Sequence, residues 1–222
     1  MMDLSDRLGW PPLRLWLAPL DAWPDATRQQ VLSDEERARA ARFVFERDQR
    51  RFTAAHCLLR ERLAQASGLP PAALRFQQGP HGKPYLLDAP GLSFNLSHSG
   101  DWAAVVVAPG GEVGVDVEVI RTMSDVVALT RGNFTPQEND ELLALPEAER
   151  EAAFLCGWTR KEACLKALGS GLSLPAASFH AGLAPTTTRV EMPGRDGPFA
   201  VELRSLQHGG VAMLSVAWQS TP

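Results

Sequence analysis

An alternating run of valines and carboxylates constrains this chain more than any other segment. Valine occupies every second position from Val113 to Val119, and Asp116 and Glu118 stand between valines. A period of two predicts a β-strand whose valine face is buried. The carboxylates then share the other face, about 7 Å apart between their Cα atoms. Gly114 lies on this same face, and a glycine inside a strand can mark the close approach of a ligand.

The residues of this strand leave two interpretations open. Carboxylates at this separation can both reach one hard cation, and Mg²⁺ is often held by one or two carboxylates together with substrate phosphates. The alternative is a solvated polar face, which is common on strands that bury only one side.

The composition of the 222-residue chain narrows the class of protein. A net charge of −4 argues against a general nucleic-acid binder. The three cysteines show no C-x-x-C spacing, and prolines interrupt the N-terminal segment. We therefore expect a cytoplasmic protein with reduced thiols and without a signal peptide. The longest apolar run, from Trp102 to Pro109, is far too short to span a bilayer.

Helical and strand-like patterns alternate twice along the chain. Capping boxes at Ser33 and Thr135 predict helix starts, and a long helix is expected over roughly 147–168. The first helix continues, or restarts near Asp48, and ends by Gly68. Strand-like runs cover residues 92–96, 102–108, 113–119, 200–203 and 211–218. This order predicts an α+β protein of two pseudo-duplicated halves, residues 1–120 and 121–222, with antiparallel hairpins rather than a doubly wound sheet.

Two charged residues of the long helix, Glu162 and Lys166, lie four positions apart and therefore on one face. The pair is either a surface ion pair or a carboxylate and an ammonium that point together at a metal–diphosphate centre. Leu155 and Trp158 are apolar residues of the same face. A charged pair that continues an apolar face is easier to explain at a cleft than in open water.

Two short polar segments offer groups that could bind phosphate. Lys83 is a cation in a loop between Gly82 and Pro84, and Ser97 and His98 end a strand. Such groups can hydrogen-bond phosphate oxygens. The alternatives are an ordinary loop lysine and a structural histidine.

In this order, the four segments resemble the larger, two-half (Sfp-like) class of 4′-phosphopantetheinyl transferases. The matching stretches are residues 82–84, 95–99, 114–118 and 158–167, and the Arg42-Phe43 pair resembles the family's early helix. Each motif alone is weak, but four in the right order are specific because chance matches multiply. The resemblance runs from about Ser33 to Leu174.

The resemblance implies two halves related by a pseudo-twofold axis, with coenzyme A in the cleft between them. It implies Mg²⁺-dependent transfer of phosphopantetheine from coenzyme A to a serine of an apo carrier protein, with release of adenosine 3′,5′-bisphosphate. A monomer is expected, with neither nucleic acid nor membrane as a partner.

The same resemblance assigns roles to individual residues. The implied Mg²⁺ ligands are Asp116, Glu118 and Glu162. The implied coenzyme A contacts are Arg39, Lys83, Ser97, His98 and Lys166. Lys166 and Glu162 are the expected catalytic residues. The resemblance places the lysine on the phosphates. The need to deprotonate the attacking serine makes the glutamate the candidate base, directly or through a water, although a metal ligand is a weak base. Glu36 stands where a further basic residue is expected.

Two other functions remain open. A nuclease-like, Mg²⁺-dependent phosphoryl-transfer enzyme would share the carboxylates and could place the arginine-rich helix on a nucleic-acid backbone. A non-catalytic module would bind carrier proteins or coenzyme A without transfer. In the transferase, arginines near the cleft could dock acidic carriers, and we expect Phe134 and the helix after it to form an apolar docking surface.

Overall fold

The computed structural model describes residues 1–22, 30–123, 125–169, 171–194 and 197–220. The elements before residue 110 are β1 (Met2–Asp3), α1 (Ser5–Leu8), β2 (Arg14–Pro19), α2 (Asp34–Ala40), α3 (Glu46–Ser67), β3 (Phe76–Gln78), β4 (Pro84–Leu86), β5 (Leu92–Ser99) and β6 (Trp102–Pro109). Those after it are β7 (Glu112–Val119), α4 (Val126–Asn133), α5 (Pro136–Ala144), α6 (Glu147–Leu168), β8 (Thr188–Gly194), β9 (Gly197–His208) and β10 (Ala212–Gln219).

Two four-stranded sheets form the framework of the molecule. The first has the strand order β1-β2-β6-β5, the second has the order β7-β10-β9-β8, and β3 and β4 form a separate hairpin. Every strand pair among the described residues is antiparallel. The expected α+β fold with antiparallel hairpins is therefore confirmed.

The chain passes from the first sheet to the second between β6 and β7. Gly110 and Gly111 make this turn with φ angles of 80° and 72°, a region that glycine enters at little cost. β7 then pairs with β10 along its whole length. The chain thus leaves the first sheet about ten residues before residue 120. The division into halves of residues 1–120 and 121–222 stays a prediction.

The valine face of β7 lies in an apolar core between the two sheets. Val113, Val115 and Val117 are fully buried there against residues of β2 and β6. α3 covers the other face of the first sheet, and α6 covers the other face of the second. Because each such valine contributes about 1.5–3 kcal/mol when it is fully buried, this packing holds β7 against the first sheet.

The helices begin and end largely where the sequence predicts. Ser33 and Thr135 start α2 and α5 with complete capping boxes. α6 has the expected length and ends at Gly169, whose φ of 69° is left-handed. The first helical region is two helices, because α2 ends at Ala40 and α3 restarts at Glu46.

All three cysteines are buried, and among the described residues none forms a disulfide bond, in agreement with the reduced thiols that the sequence predicts. Burial raises the pKa of the Cys164 thiol to about 12, so it stays protonated at neutral pH. No helix of the described segments has the length and apolar character needed to cross a membrane.

Candidate active site

β5 and β7 run side by side where the two sheets meet, although they are not hydrogen-bonded neighbours within either sheet. Side chains of β5 replace the missing backbone ladder. Each of three alternate residues accepts a hydrogen bond from a backbone N–H of β7: Asn95 from Val115 (3.0 Å), Ser97 from Val117 (3.4 Å) and Ser99 from Val119 (3.3 Å). We call this row of contacts the seam. It holds the carboxylate face of β7 in register with β5.

Asp116 lies at the middle of the seam and is only 4% exposed. Its Oδ1 accepts hydrogen bonds from Ser97 Oγ at 2.8 Å and from Lys166 Nζ at 2.6 Å, and Lys166 Nζ also donates to Ser97 Oγ at 2.9 Å. The three residues therefore form a closed triangle. The solvated-face alternative is wrong for Asp116, because this side of the strand is covered by α6.

Burial of Asp116 has an electrostatic consequence. Its pKa is raised, because loss of hydration outweighs the charge and the hydrogen bond of Lys166. Its second oxygen, Oδ2, is buried and has no hydrogen-bond partner among the described residues. A buried carboxylate oxygen without a partner is costly in a folded protein, and it calls for an explanation such as an ion or a ligand.

The other two acidic residues approach the same place. Ser99 Oγ donates to Glu118 Oε2 at 2.6 Å. The pKa of Glu162 is raised first by burial and then by the charges of Asp116 and Glu118, which outweigh the opposing charge of Lys166. The surface ion pair of Glu162 with Lys166 is not the arrangement found, because Lys166 pairs with Asp116.

Asp116 and Glu118 suit a divalent cation whose other ligands come from substrate and water. In the described part of the chain, no group of three His, Cys, Asp or Glu side chains is arranged to hold a metal ion by itself. Mg²⁺ often takes only one or two carboxylates and fills its remaining positions with phosphate oxygens and water. The unpartnered Oδ2 of Asp116 and the neighbouring Glu118 suit that mode of binding.

Gly114 explains how α6 comes so close to the carboxylates. A Cβ atom at Gly114 would lie 2.1 Å from the carbonyl oxygen of Ala163 and 2.4 Å from the amide nitrogen of Ala167. The close approach at this glycine is therefore that of the α6 backbone, and its interpretation as a mark of ligand approach is wrong. The contact sets Glu162 and Lys166 beside β7.

His98 and Arg39 lie on the α3 side of the site. Loss of hydration and the positive charge of Lys166 lower the pKa of His98, so its ring is neutral at pH 7. The Arg39 guanidinium lies 5.1 Å from the ring centroid of Phe52. Arg39 and Arg42 line a cavity of about 730 Å³ between α2, α3 and the β3–β4 hairpin.

Glu36 lies in the wall of this cavity and is not available as a free charge. Arg60, which is 1% exposed, donates to Glu36 Oε2 at 2.5 Å, and His56 Nδ1 lies 2.9 Å from Glu36 Oε1. Arg60 also donates to the carbonyl oxygens of Pro71 and Leu74. The acid that replaces the expected basic residue thus helps to build the wall.

Lys83 does not contact Asp116, Glu118 or Glu162 and pairs with another acid. Its Nζ pairs with Glu112 Oε2 at 2.5 Å and donates to the carbonyl oxygen of Ala167 at 2.8 Å. Burial lowers its pKa, against the charge of Glu112. Glu112 precedes Asp116 by four strand residues, roughly 13 Å. The role of Lys83 as a coenzyme A contact stays a prediction.

Two contacts of the site were not predicted from the sequence, and one predicted surface is wrong. Asn95 and Ser99 were not identified as partners of β7, although their spacing of two from Ser97 was a usable signal. Phe134 is 2% exposed and packs against Phe154, so the expected apolar docking surface at Phe134 is wrong.

Comparison with known families gives two matches that together span both sheets. The model described as 4′-phosphopantetheinyl transferase, N-terminal, matches residues 15–110. The model of the 4′-phosphopantetheinyl transferase superfamily matches residues 112–212. The second match contains β7 and α6, which carry Asp116, Glu118, Glu162 and Lys166.

Curated relatives resemble the chain over most of its length. The 4′-phosphopantetheinyl transferase HetI of Nostoc sp. is 40% identical over 77% of this chain and 72% of its own. The 4′-phosphopantetheinyl transferase psf-1 of Bacillus pumilus is 36% identical over 86% and 82%. The 4′-phosphopantetheinyl transferase Sfp of Bacillus subtilis is 28% identical over 86% and 84%.

Proposed function

We propose that this chain uses coenzyme A as its donor and requires Mg²⁺. The chain belongs to the 4′-phosphopantetheinyl transferase superfamily and transfers phosphopantetheine to carrier proteins. The acceptor is a serine of an apo acyl, peptidyl or aryl carrier. The products are the holo-carrier and adenosine 3′,5′-bisphosphate. The observation that carries this proposal is the buried, unpartnered Oδ2 of Asp116 beside the ammonium of Lys166.

Asp116, Glu118 and Glu162 are the residues proposed to hold Mg²⁺, with Asp116 acting through Oδ2. When bound, the ion would offset the negative charge of the diphosphate and of the leaving phosphate. The raised pKa values of Asp116 and Glu162 support this assignment. Crowded, poorly hydrated carboxylates ionise more readily beside a divalent cation.

Lys166 supplies a second positive charge. Its Nζ is already held by Ser97 Oγ and Asp116 Oδ1, so it loses little conformational freedom when phosphate binds. An oriented cation stabilises the charge that develops as the serine oxygen bonds to phosphorus and the bridging phosphate oxygen departs with its electron pair. Groups of this kind typically accelerate reactions by about 10²–10³-fold.

The serine hydroxyl must lose its proton as its oxygen attacks. We assign Glu162 as the acceptor, directly or through a water molecule. Without the ion, burial and the nearby charge of Asp116 raise the pKa of Glu162; a bound Mg²⁺ would act against this rise and make the carboxylate a weaker base. Glu162 is only partly buried, so a carrier serine can reach it.

Arg39, Ser97, His98 and Lys83 are proposed to bind coenzyme A in a cleft between two halves related by a pseudo-twofold axis. The 730 Å³ cavity beside Arg39 is lined by residues of the first half alone; it has room for part of the nucleotide beyond that cleft, and Arg39 brings a positive charge to its wall. The pKa of His98 is lowered in the free protein, whereas a bound phosphate would raise that pKa and favour the charged ring.

The reaction products separate this function from the two alternatives. The protein is incubated with coenzyme A, MgCl₂ and a panel of apo carriers, and adenosine 3′,5′-bisphosphate is followed by chromatography. Parallel samples contain single-stranded DNA or RNA. We expect the bisphosphate to form only when a carrier is present, and the nucleic acids to stay intact.

Glu162→Ala is the control, and it should fold normally but release almost no bisphosphate. Nucleic-acid cleavage without bisphosphate would favour the nuclease. A variant as active as the parent would refute the role of Glu162.

A further inference from the structure

Two of the three β5 residues in the seam make a second contact with a carboxylate. Ser97 accepts from the N–H of Val117 and donates to Asp116. Ser99 accepts from the N–H of Val119 and donates to Glu118. Each serine therefore joins the two sheets and also orients the acidic residue that precedes its N–H partner.

We propose that Ser99 is a positioning residue that holds the Glu118 carboxylate in its orientation for binding Mg²⁺. This inference rests on the proposed function, because it concerns a carboxylate assigned there to the metal. Ser99 itself does not contact the metal or the substrate. It acts through Glu118, and it does so from the opposite sheet.

The contacts of Glu118 support this role. In the parts of the chain that the structure describes, its one recorded side-chain hydrogen bond comes from Ser99 Oγ, at 2.6 Å. Asp116, in contrast, is held by both Ser97 and Lys166. Without Ser99, Glu118 would keep three rotatable side-chain bonds with no partner to restrict them.

The geometry of Ser99 also limits its alternatives. Its hydroxyl has one hydrogen, which goes to Glu118 Oε2, and one of its lone pairs accepts from Val119. The backbone amide of β7 therefore holds the hydroxyl oxygen in place while its hydrogen points at the carboxylate. Partners of metal ligands that are arranged in this way typically change metal affinity by about 10–100-fold when they are removed.

Ser93 provides a matched control on the same strand. It lies two positions before Asn95 and also reaches across from β5, but its Oγ donates to the backbone carbonyl of Gly111. Ser93→Ala therefore removes one serine hydrogen bond between β5 and the segment leading into β7 without affecting a carboxylate. Ser99→Thr keeps the hydroxyl and serves as the conservative variant.

The test measures Mn²⁺ binding to the full chain, in the presence of coenzyme A, by electron paramagnetic resonance. Ser99→Ala should weaken Mn²⁺ binding by about 10-fold or more, while Ser93→Ala should leave it unchanged. Ser99→Thr should recover most of the lost affinity. Urea unfolding without metal should show similar stability losses for the two alanine variants, because each loses one hydrogen bond.

Equal Mn²⁺ affinity of the parent and Ser99→Ala, in a parent that binds the ion and forms product, would overturn this inference alone. The same holds if Ser93→Ala weakens binding as much. A parent that neither binds Mn²⁺ nor releases adenosine 3′,5′-bisphosphate would overturn the proposed function, and the inference with it.

Discussion

Helix α6 contributes one lysine to each of two ion pairs, which differ in exposure and in how completely their polar groups are hydrogen-bonded. Lys161 pairs with Glu138 at 2.8 Å, and both side chains are 0% exposed. Lys166 pairs with Asp116 at 2.6 Å, and the lysine is 29% exposed. The first pair lies between α5 and α6, whereas the second lies at the seam.

The pair of Lys161 and Glu138 has a complete set of partners. Glu138 accepts hydrogen bonds from three backbone N–H groups, those of Thr135, Ala181 and Gly182. Lys161 donates to two backbone carbonyls, those of Ala176 and Phe179. Burial alone would raise the pKa of Glu138, but the hydrogen bond and the charge of Lys161, together with the backbone N–H groups of Thr135 and Ala181, outweigh it and lower the pKa.

The pair of Lys166 and Asp116 is incomplete, because Oδ2 of Asp116 lacks a partner in the described residues and the pKa of Asp116 is raised. A buried ion pair stabilises a fold only when its remaining hydrogen-bonding capacity is satisfied. The difference indicates that Glu138 stabilises the fold, whereas Asp116 has an oxygen available to bind a ligand. Isosteric amide variants of the two acids test this contrast.

Asp116→Asn should have the largest effect, on activity rather than on stability. We expect turnover with a carrier to fall by about 1,000-fold or more, because the amide cannot replace the charge at the metal site. The free energy of unfolding should stay the same or rise, since a poorly hydrated charge is removed. Steady-state rates and urea unfolding measure the two effects. A variant that is active but unstable would contradict the contrast.

Glu138→Gln should have the reverse effect. It leaves Lys161 as a buried charge without its carboxylate, which should destabilise the fold by about 3–5 kcal/mol. Activity per folded molecule should be close to that of the parent, and this is measured well below the melting temperature. If the variant were as stable as the parent, the structural role of this pair would be refuted.

Gly114→Ala should disturb the Asp116 site through the backbone of α6. The added Cβ would overlap Ala163 and Ala167, so we expect a loss of about 2–3 kcal/mol in stability together with reduced activity. Gly132→Ala is the matched control, because nothing lies within 4 Å of its added Cβ. It should be neutral or slightly stabilising in α4. Equal behaviour of the two variants would show that close packing at Gly114 is unimportant.

The pH dependence of stability should show the smallest effect, with opposite signs for the two acids. The folded pKa of Glu138 is lowered from 4.5, so its stabilisation is present above pH 4.5 and is lost as pH falls through the folded pKa. The folded pKa of Asp116 is raised from 3.8, so stability increases as pH falls through that folded pKa towards 3.8.

Urea unfolding of the parent and both amide variants between about pH 2 and 7 separates these contributions, because the loss from Glu138 lies below its unfolded pKa. Each group can change the slope by at most about 1.4 kcal/mol per pH unit. Relative to the parent, Glu138→Gln should lose stability less steeply in acid, and Asp116→Asn should gain less stability on mild acidification. Changes of the same sign in both variants would contradict the contrast.

The sequence predicted those helices and strands that are marked by a local pattern, such as a capping box or an alternation of apolar and polar residues. The capping boxes at Ser33 and Thr135 mark two helix starts, and alternation marks β7. β2 was not predicted, because its residues from Leu15 to Ala18 are all apolar, with no alternation, and prolines flank it. A strand covered on both faces lacks the period of two that identifies a half-buried strand.

The candidate site was predictable in its residues but not in its contacts. Ser97, Asp116 and Lys166 meet in the structure, whereas Lys83 bonds the carbonyl oxygen of Ala167 in the last turn of α6. The roles that the resemblance implies for these residues stay predictions. The pairing of Glu138 with Lys161 has no local signal, because it depends on how α5 packs against α6. The neighbour of Gly114 could not be deduced either, since a helix and a ligand would both require a glycine.

The most direct test of the central claim is the intact mass of an apo carrier protein after incubation with the chain, coenzyme A and MgCl₂. The parent should add the mass of one phosphopantetheine group to at least one carrier of the panel, and Asp116→Asn should add none over the same time. A panel left unmodified by the parent, or modified equally by Asp116→Asn, would contradict the account.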